Sequence, residues 1–242
     1  NAPPGTSYGD DGRITIPAGS DGATLTLPDG STIFVPGGYT MIPDDAQPGG
    51  YAIVFDNPFT DVSESDWFYG DVEYVFTRGL FKGTSATEFA PHMDVTRGML
   101  ITVLGRLHGV NEAEHQGASF DDVAPGAYYA AYVKWGFDNG LVLGVGENRY
   151  EPDRAIKREE LAAIFSRYAA FINFEMPATR EAPAFADEDE ISGYAKEAIG
   201  QMYRAGIING MGDDVIAPGA AATRAQMAAM VHRFALLVGL LD

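Results

Sequence analysis

The chain repeats itself three times, and a chain built this way folds as like units that bury their apolar faces against one another. Aligning Phe59-Thr60-Asp61-Val62 with Phe120-Asp121-Asp122-Val123 and Phe185-Ala186-Asp187-Glu188 puts a glycine 20, 20 and 21 residues later, at Gly79, Gly140 and Gly206. Four residues further each copy carries a second glycine, Gly83, Gly144 or Gly210. Counted from the first glycine, Pro91, Pro152 and Pro218 fall at +12, and Arg97, Arg158 and Arg224 at +18. The repeats span about 59–113, 120–174 and 185–242.

Each repeat predicts helix, turn, loop, helix. After the arginine, apolar residues stand at +3, +6, +7 and +10: Leu100, Val103, Leu104 and Leu107; Leu161, Ile164, Phe165 and Tyr168; Met227, Met230, Val231 and Phe234. That is the stripe of an amphipathic helix. Ahead of the first glycine, Val72, Val133 or Ile199 is followed four residues on by Phe76, Phe137 or Tyr203, the expected inner face of a shorter helix. Gly79, Gly140 and Gly206 are expected as left-handed caps at its end. Thr96 and Thr223 are expected N-caps, and only the third repeat, through Gln226, completes a capping box. Lys157 cannot accept a hydrogen bond there and adds a positive charge instead. The recurring Arg106, Arg167 and Arg233 are read as structural or surface residues. Helices this short share one core, so residues 56–242 are expected to form one compact, mainly α domain.

Residues 1–55 are of another kind, rich in Gly, Pro, Asp and Thr. Three β-prone runs, Arg13 to Ile16, Thr24 to Leu27 and Thr32 to Val35, each end at a proline, and Asp29-Gly30 signals a hairpin between the last two. A small β-rich segment follows, either the end of a larger upstream domain or a spacer packed on the helices. The chain opens Asn-Ala-Pro-Pro with no initiator Met or signal-peptide pattern, and reads as a piece of a longer or processed protein.

Composition removes several classes of function. Sixteen Lys and Arg against 34 Asp and Glu give a net charge of −18, which argues against a nucleic acid or an anionic membrane as partner. There is no cysteine, so disulfides, thiolate metal sites and cysteine nucleophiles are out. No apolar run approaches the roughly 18 residues of a membrane span. The four histidines, His92, His108, His115 and His232, are scattered, and no nucleophile-elbow, zinc-protease or phosphate-loop pattern occurs. Carboxylates are plentiful, yet no spacing singles out a glycosidase pair. No catalytic residue, metal or cofactor is expected.

Phe59-Thr60-Asp61-Val62, Trp67, Gly79-Leu80-Phe81-Lys82-Gly83, Phe89-Ala90-Pro91 and Val95-Thr96-Arg97 closely resemble the S-layer homology repeat. The second and third copies resemble it through Gly140-Leu141-Val142-Leu143-Gly144 with Ile156-Lys157-Arg158-Glu159-Glu160, and Gly206-Ile207-Ile208-Asn209-Gly210 with Ala222-Thr223-Arg224-Ala225-Gln226. The resemblance implies a pseudo-threefold bundle in which the helices after the three arginines form a central three-helix core. It also implies grooves between repeats that bind a secondary cell-wall polysaccharide, typically through a pyruvylated amino sugar. An extracellular wall anchor, monomeric as an isolated module, would be the role. The alternative is a structural module for self-assembly or protein contacts.

A pyruvate ketal carries a carboxylate, which Arg97, Arg158 and Arg224 could meet with charge-assisted hydrogen bonds at a helix start. Trp67, Tyr128 and Tyr194 could pack on a sugar face, competing with a role in the core. Gly83, Gly144 and Gly210 could let ligand approach the backbone, and Thr96, Lys157 and Thr223 flank the arginines. Asp61, Asp122 and Asp187 complete the candidate set, with the competing reading that each arginine only bridges to one of them and fixes the loop. Repeat one, with Trp67, Thr96 and Arg97, is the first choice of groove and Lys157-Arg158 the second. The third is expected to be weakest, because Gly219-Ala220-Ala221 offers few side chains and Glu188 replaces the usual valine.

Overall fold

A computed structural model describes residues 2–44, 50–117 and 119–239. The chain divides into two compact units, Asn1–Pro91 and His92–Asp242, so the division falls inside the first repeat and not at 55/56.

The first unit contains β1 (Ser7–Tyr8), β2 (Ile14–Thr15), β3 (Ala23–Thr26), β4 (Thr32–Val35), β5 (Tyr39–Asp44), β6 (Gly50–Phe55) and α1 (Tyr69–Thr77). An antiparallel sheet runs in the order β1-β2-β5-β6, and β3-β4 form the separate hairpin expected from Asp29-Gly30, with Ala23 opposite Val35 and Thr26 opposite Thr32. Gly30 takes a φ of 84° in its turn, and an Asp29 carboxylate oxygen accepts from the Ser31 amide and hydroxyl. The longest pairing, β5 with β6, is absent from the sequence reading. Pro43, which ordinarily argues against a strand, sits within β5 opposite Tyr51. Ile16, Ala23, Val35 and Met41 form the core of this segment.

The β segment packs on α1, which is why the first half of repeat one belongs to this unit. The Phe55 ring lies 5.8 Å from Tyr69 and 6.3 Å from Phe76. Tyr39 donates its hydroxyl to Glu73, and the Gly19 amide donates to Thr77 O at 2.9 Å. Gly38 has no room for a side chain, since a Cβ would lie 2.7 Å from Thr77 Cγ2.

The second unit holds α2 (Arg97–His108), α3 (Ala130–Asp138), α4 (Arg158–Phe171), α5 (Lys196–Arg204) and α6 (Arg224–Val238). The predicted stripes of α2, α4 and α6 are buried, apart from the half-buried Leu107. These three helices are buried on almost every face of their first turns, whereas α5 buries only Ala198, Ile199 and Met202. Phe234 of α6 packs 5.6 Å from Phe165 and 5.7 Å from Tyr168 of α4, and Tyr168 reaches His108 of α2 at 5.9 Å. Helix α3 lies close on α2 because of glycine. A Cβ on Gly105 would meet Tyr132 at 2.2 Å, and one on Gly136 would meet Ile101 at 2.8 Å.

The segments leading into α2, α4 and α6 are tied in a closed ring. Val95 N donates to Ala222 O, Ala222 N to Ile156 O, and Ile156 N to Val95 O, at 2.8, 3.1 and 2.8 Å. A second ring, two residues on, donates the opposite way round: Arg97 N to Arg154 O, Arg158 N to Ala220 O, Arg224 N to Met93 O, at 3.0, 2.9 and 2.9 Å. Each helix start is thereby satisfied by a neighbouring repeat.

The expected caps are present. In all three shorter helices the Gly79, Gly140 or Gly206 amide and the next one bond back in the Schellman pattern, with glycine φ of 66, 69 and 76°. The second inner-face aromatic departs from expectation, since Phe137 is exposed. Phe76, Phe137 and Tyr203 instead meet the leading phenylalanine of their own repeat edge-on, at 4.8, 5.1 and 5.1 Å from Phe59, Phe120 and Phe185.

Candidate functional site

Each recurring arginine is the first residue of its helix, and each is buried: Arg97 is 5 % exposed, Arg158 2 % and Arg224 2 %. Burying a guanidinium is costly unless its donors are met. Arg97 meets them in the following repeat, with Nε to Tyr150 O at 2.8 Å, Nη2 to Leu143 O at 3.1 Å and Nη1 to Glu160 at 3.4 Å. Its plane lies 4.6 Å from the centre of the Tyr150 ring. Arg158 repeats the geometry one unit on, with Nε to Ile216 O at 2.8 Å, Nη2 to Asn209 O at 2.7 Å and Nη1 to Gln226 Oε1 at 3.5 Å.

At Arg97 and Arg158 these carbonyl contacts stand where the competing reading put a bridge to the recurring aspartate. The aspartates are occupied with their own loops. Asp61 accepts the Phe89 and Ala90 amides, Asp122 those of Tyr150 and Glu151, and Asp187 those of Ile216 and Ala217, at 2.7 to 3.0 Å. The second residue of each pair has a left-handed backbone, with φ of 56° at Ala90, 57° at Glu151 and 51° at Ala217, immediately before the recurring proline. Such a residue costs about 1–2 kcal/mol, and the aspartate holds it. With both oxygens engaged, each aspartate pins its own loop. Burial works to raise the Asp122 carboxyl, but the two amides and Arg149, 3.6 Å away, outweigh it and hold it below the usual range.

The second glycines are also explained internally. A Cβ on Gly83 would lie 2.6 Å from the Phe59 ring and 2.5 Å from Ser85 O. On Gly144 it would lie 2.9 Å from both Phe120 and Arg149 O, and on Gly210 3.0 Å from Val215 O. They are glycine because the loop closes over them.

Trp67, Tyr128 and Tyr194 are 62, 53 and 58 % exposed, while the residues beside them, Phe68, Tyr129 and Ala195, are buried. The core role falls to the neighbour and leaves one ring per repeat on the surface. The Tyr128 hydroxyl is raised chiefly by burial and lies close enough to Thr96, Asp153 and Arg224 to feel them. Tyr194 is likewise raised, by burial first and then by Glu159 and Glu160. Tyr128 and Tyr194 therefore each stand near the start of a helix from the preceding repeat. Trp67 lies in the first unit, whereas Thr96 and Arg97 lie in the second.

Around the helix starts, Thr96 and Thr223 cap as expected, accepting from Met99 N at 3.2 Å and Gln226 N at 3.3 Å, and the Thr223 amide donates in turn to Gln226 Oε1. Lys157 provides no cap, although Glu160 accepts its amide at 3.0 Å. Glu160 is also held by both terminal nitrogens of Arg154, at 3.0 and 2.6 Å. Burial opposes ionisation of Glu160, and Arg154, the Lys157 amide and Arg97 outweigh it, so its carboxyl is held below its ordinary value. Glu160 and Arg154 escaped the sequence reading because their importance depends on Arg97 reaching into the next repeat. Arg167 and Arg233 are structural, donating to Leu141 O and Ile207 O at the end of the preceding helix, at 3.2 and 3.3 Å.

The profile of the S-layer homology domain matches three stretches, 58–98, 119–162 and 184–228, each running from the leading phenylalanine into the helix that starts at the arginine. The chain belongs to the S-layer homology domain family. It is similar to an amylopullulanase of Thermoanaerobacterium thermosulfurigenes, 29 % identical over 75 % of this chain and 10 % of that protein. It is also similar to the exoglucanase XynX of Acetivibrio thermocellus, 30 % identical over 72 % of this chain and 16 % of that protein. A surface-layer 125 kDa protein of Lysinibacillus sphaericus is 31 % identical over 45 % of this chain and 10 % of its own length. The S-layer homology domain of this chain thus corresponds to a small part of each of these relatives.

Proposed function

We propose that this chain is a non-catalytic anchoring module that holds its parent protein at the outside of the cell, in the wall or S-layer. Three S-layer homology repeats form a pseudo-threefold bundle with α2, α4 and α6 at its centre, consistent with their all-round burial and the closed rings of hydrogen bonds. The ligand is an acidic secondary cell-wall polysaccharide bearing a pyruvylated amino sugar. Arginine at the helix starts receives the carboxylate, the exposed Trp67, Tyr128 and Tyr194 rings pack on sugar, and Thr96, Lys157 and Thr223 flank the arginines. Asp61, Asp122, Asp187 and the second glycines shape the loops behind them. The observation that carries this reading is the recurrence, in every repeat, of a buried arginine at a helix start together with an aromatic ring more than half exposed.

A parent enzyme would carry its active site elsewhere in its length, as the 10 % and 16 % coverage of the two glycan-cleaving relatives suggests. The test is retention of the chain on purified wall glycan before and after chemical removal of pyruvate. Retention that falls with pyruvate removal is expected. Unchanged retention would overturn the carboxylate mechanism, and no retention on either glycan would favour a module for self-assembly.

A further inference from the structure

The C-terminal end of the shorter helix is covered by another part of the chain in repeats one and three, and left bare in repeat two. In repeat one the β segment covers it: the Gly19 amide donates to Thr77 O at 2.9 Å, and the Phe55 ring lies 6.3 Å from Phe76. In repeat three a stretch without helix or strand, between α4 and α5, takes the same place. Thr179 and Arg180 donate their amides to Arg204 O at 2.9 and 3.2 Å, and the Arg180 guanidinium lies 3.9 Å from the centre of the Tyr203 ring. Its Nε donates to Tyr203 O at 2.6 Å, and its Nη2 to Ile208 O at 2.7 Å and Asn209 Oδ1 at 2.9 Å.

Repeat two has no counterpart to either cover among the described residues. Phe137 is 45 % exposed, where Phe76 and Tyr203 are half-buried. A Cβ on Gly79 would lie 3.6 Å from Gly19 Cα and one on Gly206 4.0 Å from Thr179 Oγ1, whereas one on Gly140 would meet nothing within 4 Å. Asp138 O and Val142 O, which match the covered Arg204 O and Ile208 O, accept no hydrogen bond among the described residues. The linker that enters repeat two stays by the first turn of α3, where Glu112 accepts from the Tyr132 hydroxyl.

We propose that this bare end of α3 is a docking site for a partner protein that presents an irregular segment bearing an arginine. The chain itself shows what fits, because Arg180 occupies the equivalent place in repeat three. Phe137 supplies the ring for such an arginine, and Phe137 O and Val142 O supply the carbonyls, at the negative end of a helix dipole. Only the Asn209 side-chain oxygen is missing. Leu143 stands there instead, 56 % exposed, and covers the apolar stem of the guest. Charge favours the same guest, because Asp138 stands where repeat three has Arg204, and its side chain stays 39 % exposed while paired with Lys134. A ring, open carbonyls and a carboxylate are what a guanidinium takes. In a second copy the matching segments are already engaged, Arg180 on Tyr203 and Phe55 on Phe76, so the guest belongs to a different protein. The site is separate from the helix-start arginines and does not depend on what they bind.

The test is an amide NMR titration of the isotope-labelled whole chain with the peptide Met-Pro-Ala-Thr-Arg-Glu-Ala-Pro-Ala, the sequence of residues 176–184, and with the same peptide carrying Arg180→Ala. Saturable shifts of the Asn139 and Gly140 amides are expected, with the alanine peptide binding at least about fivefold more weakly. In the chain, Phe137→Ala should abolish these shifts, and Asp138→Lys should weaken binding about threefold. Phe137 also packs on Phe120, so if Phe137→Ala does not fold, Asp138→Lys, which alters only an exposed pair, and the alanine peptide decide. Equal binding of the two peptides, shifts confined to residues 203–209, or no saturable shift would overturn the proposal. So would shifts of the same α3 amides on dilution of the chain alone, which would assign the face to a second copy.

Discussion

The second and third repeats present nearly the same backbone to the arginine that precedes them, and they treat it in opposite ways. Repeat two surrounds Arg97 with Glu160, Arg154 and Glu151 in a balanced charge cluster. Repeat three meets Arg158 with two carbonyls and an amide. The scaffold is thus set by backbone contacts that every repeat can make, and the electrostatics by a few side chains free to differ.

The largest effect should come from removing both arginines. Each leaves two buried carbonyls without donors, at about 1–3 kcal/mol apiece, so Arg97→Ala with Arg158→Ala should lose roughly 4 kcal/mol or more in urea unfolding. A double variant that keeps full stability would show that these carbonyls find other donors, and the two environments would no longer be comparable. The loss is expected because both side chains are buried and donate to backbone carbonyls of the next repeat.

The loop pins should respond alike. Asp122→Ala and Asp187→Ala each remove two charge-assisted bonds from backbone amides and release a left-handed residue, costing about 2–3 kcal/mol in thermal unfolding. A markedly smaller cost at Asp187 would break the equivalence of the two repeats.

A smaller difference should appear with pH. The Asp122 and Glu160 carboxyls are both held below their unfolded values, so their contribution to stability is complete above those values and is lost as pH falls through the folded ones. Stability should begin to decline below about pH 5, and Glu160→Gln should remove part of that decline. An acid unfolding curve unaltered by the substitution would mean that Glu160 is not held by its two arginines in solution.

The smallest effect concerns capping. Lys157→Thr would give α4 an acceptor for the Glu160 amide, with the Glu160 carboxylate already bound to the residue-157 amide, and should raise stability by about 0.5–1 kcal/mol. Thr223→Ala should cost a similar amount. Paired melting curves would sharpen the comparison of the two helix starts.

Much of the repeat was legible because its signals are local. A stripe at helical spacing, a glycine that must be left-handed and a threonine with Gln226 three residues on each depend only on nearby residues, and each lies where its pattern indicates. The hairpin at Asp29-Gly30 is of the same kind. The pairing of β5 with β6 was not legible, because Pro43 obscures the run and because strand pairing depends on a partner.

The sequence by itself determined that there are three repeats, which residues recur, and which helical faces are apolar. Only the tertiary structure decided whom those residues meet. Arg97 and Arg158 each reach into the next repeat, so the loop and acid that govern an arginine lie some 60 residues away in the chain, as with Glu160 and Arg97 at a separation of 63. A buried guanidinium takes whatever acceptors the fold brings within about 3 Å, and sequence spacing carries no record of that distance.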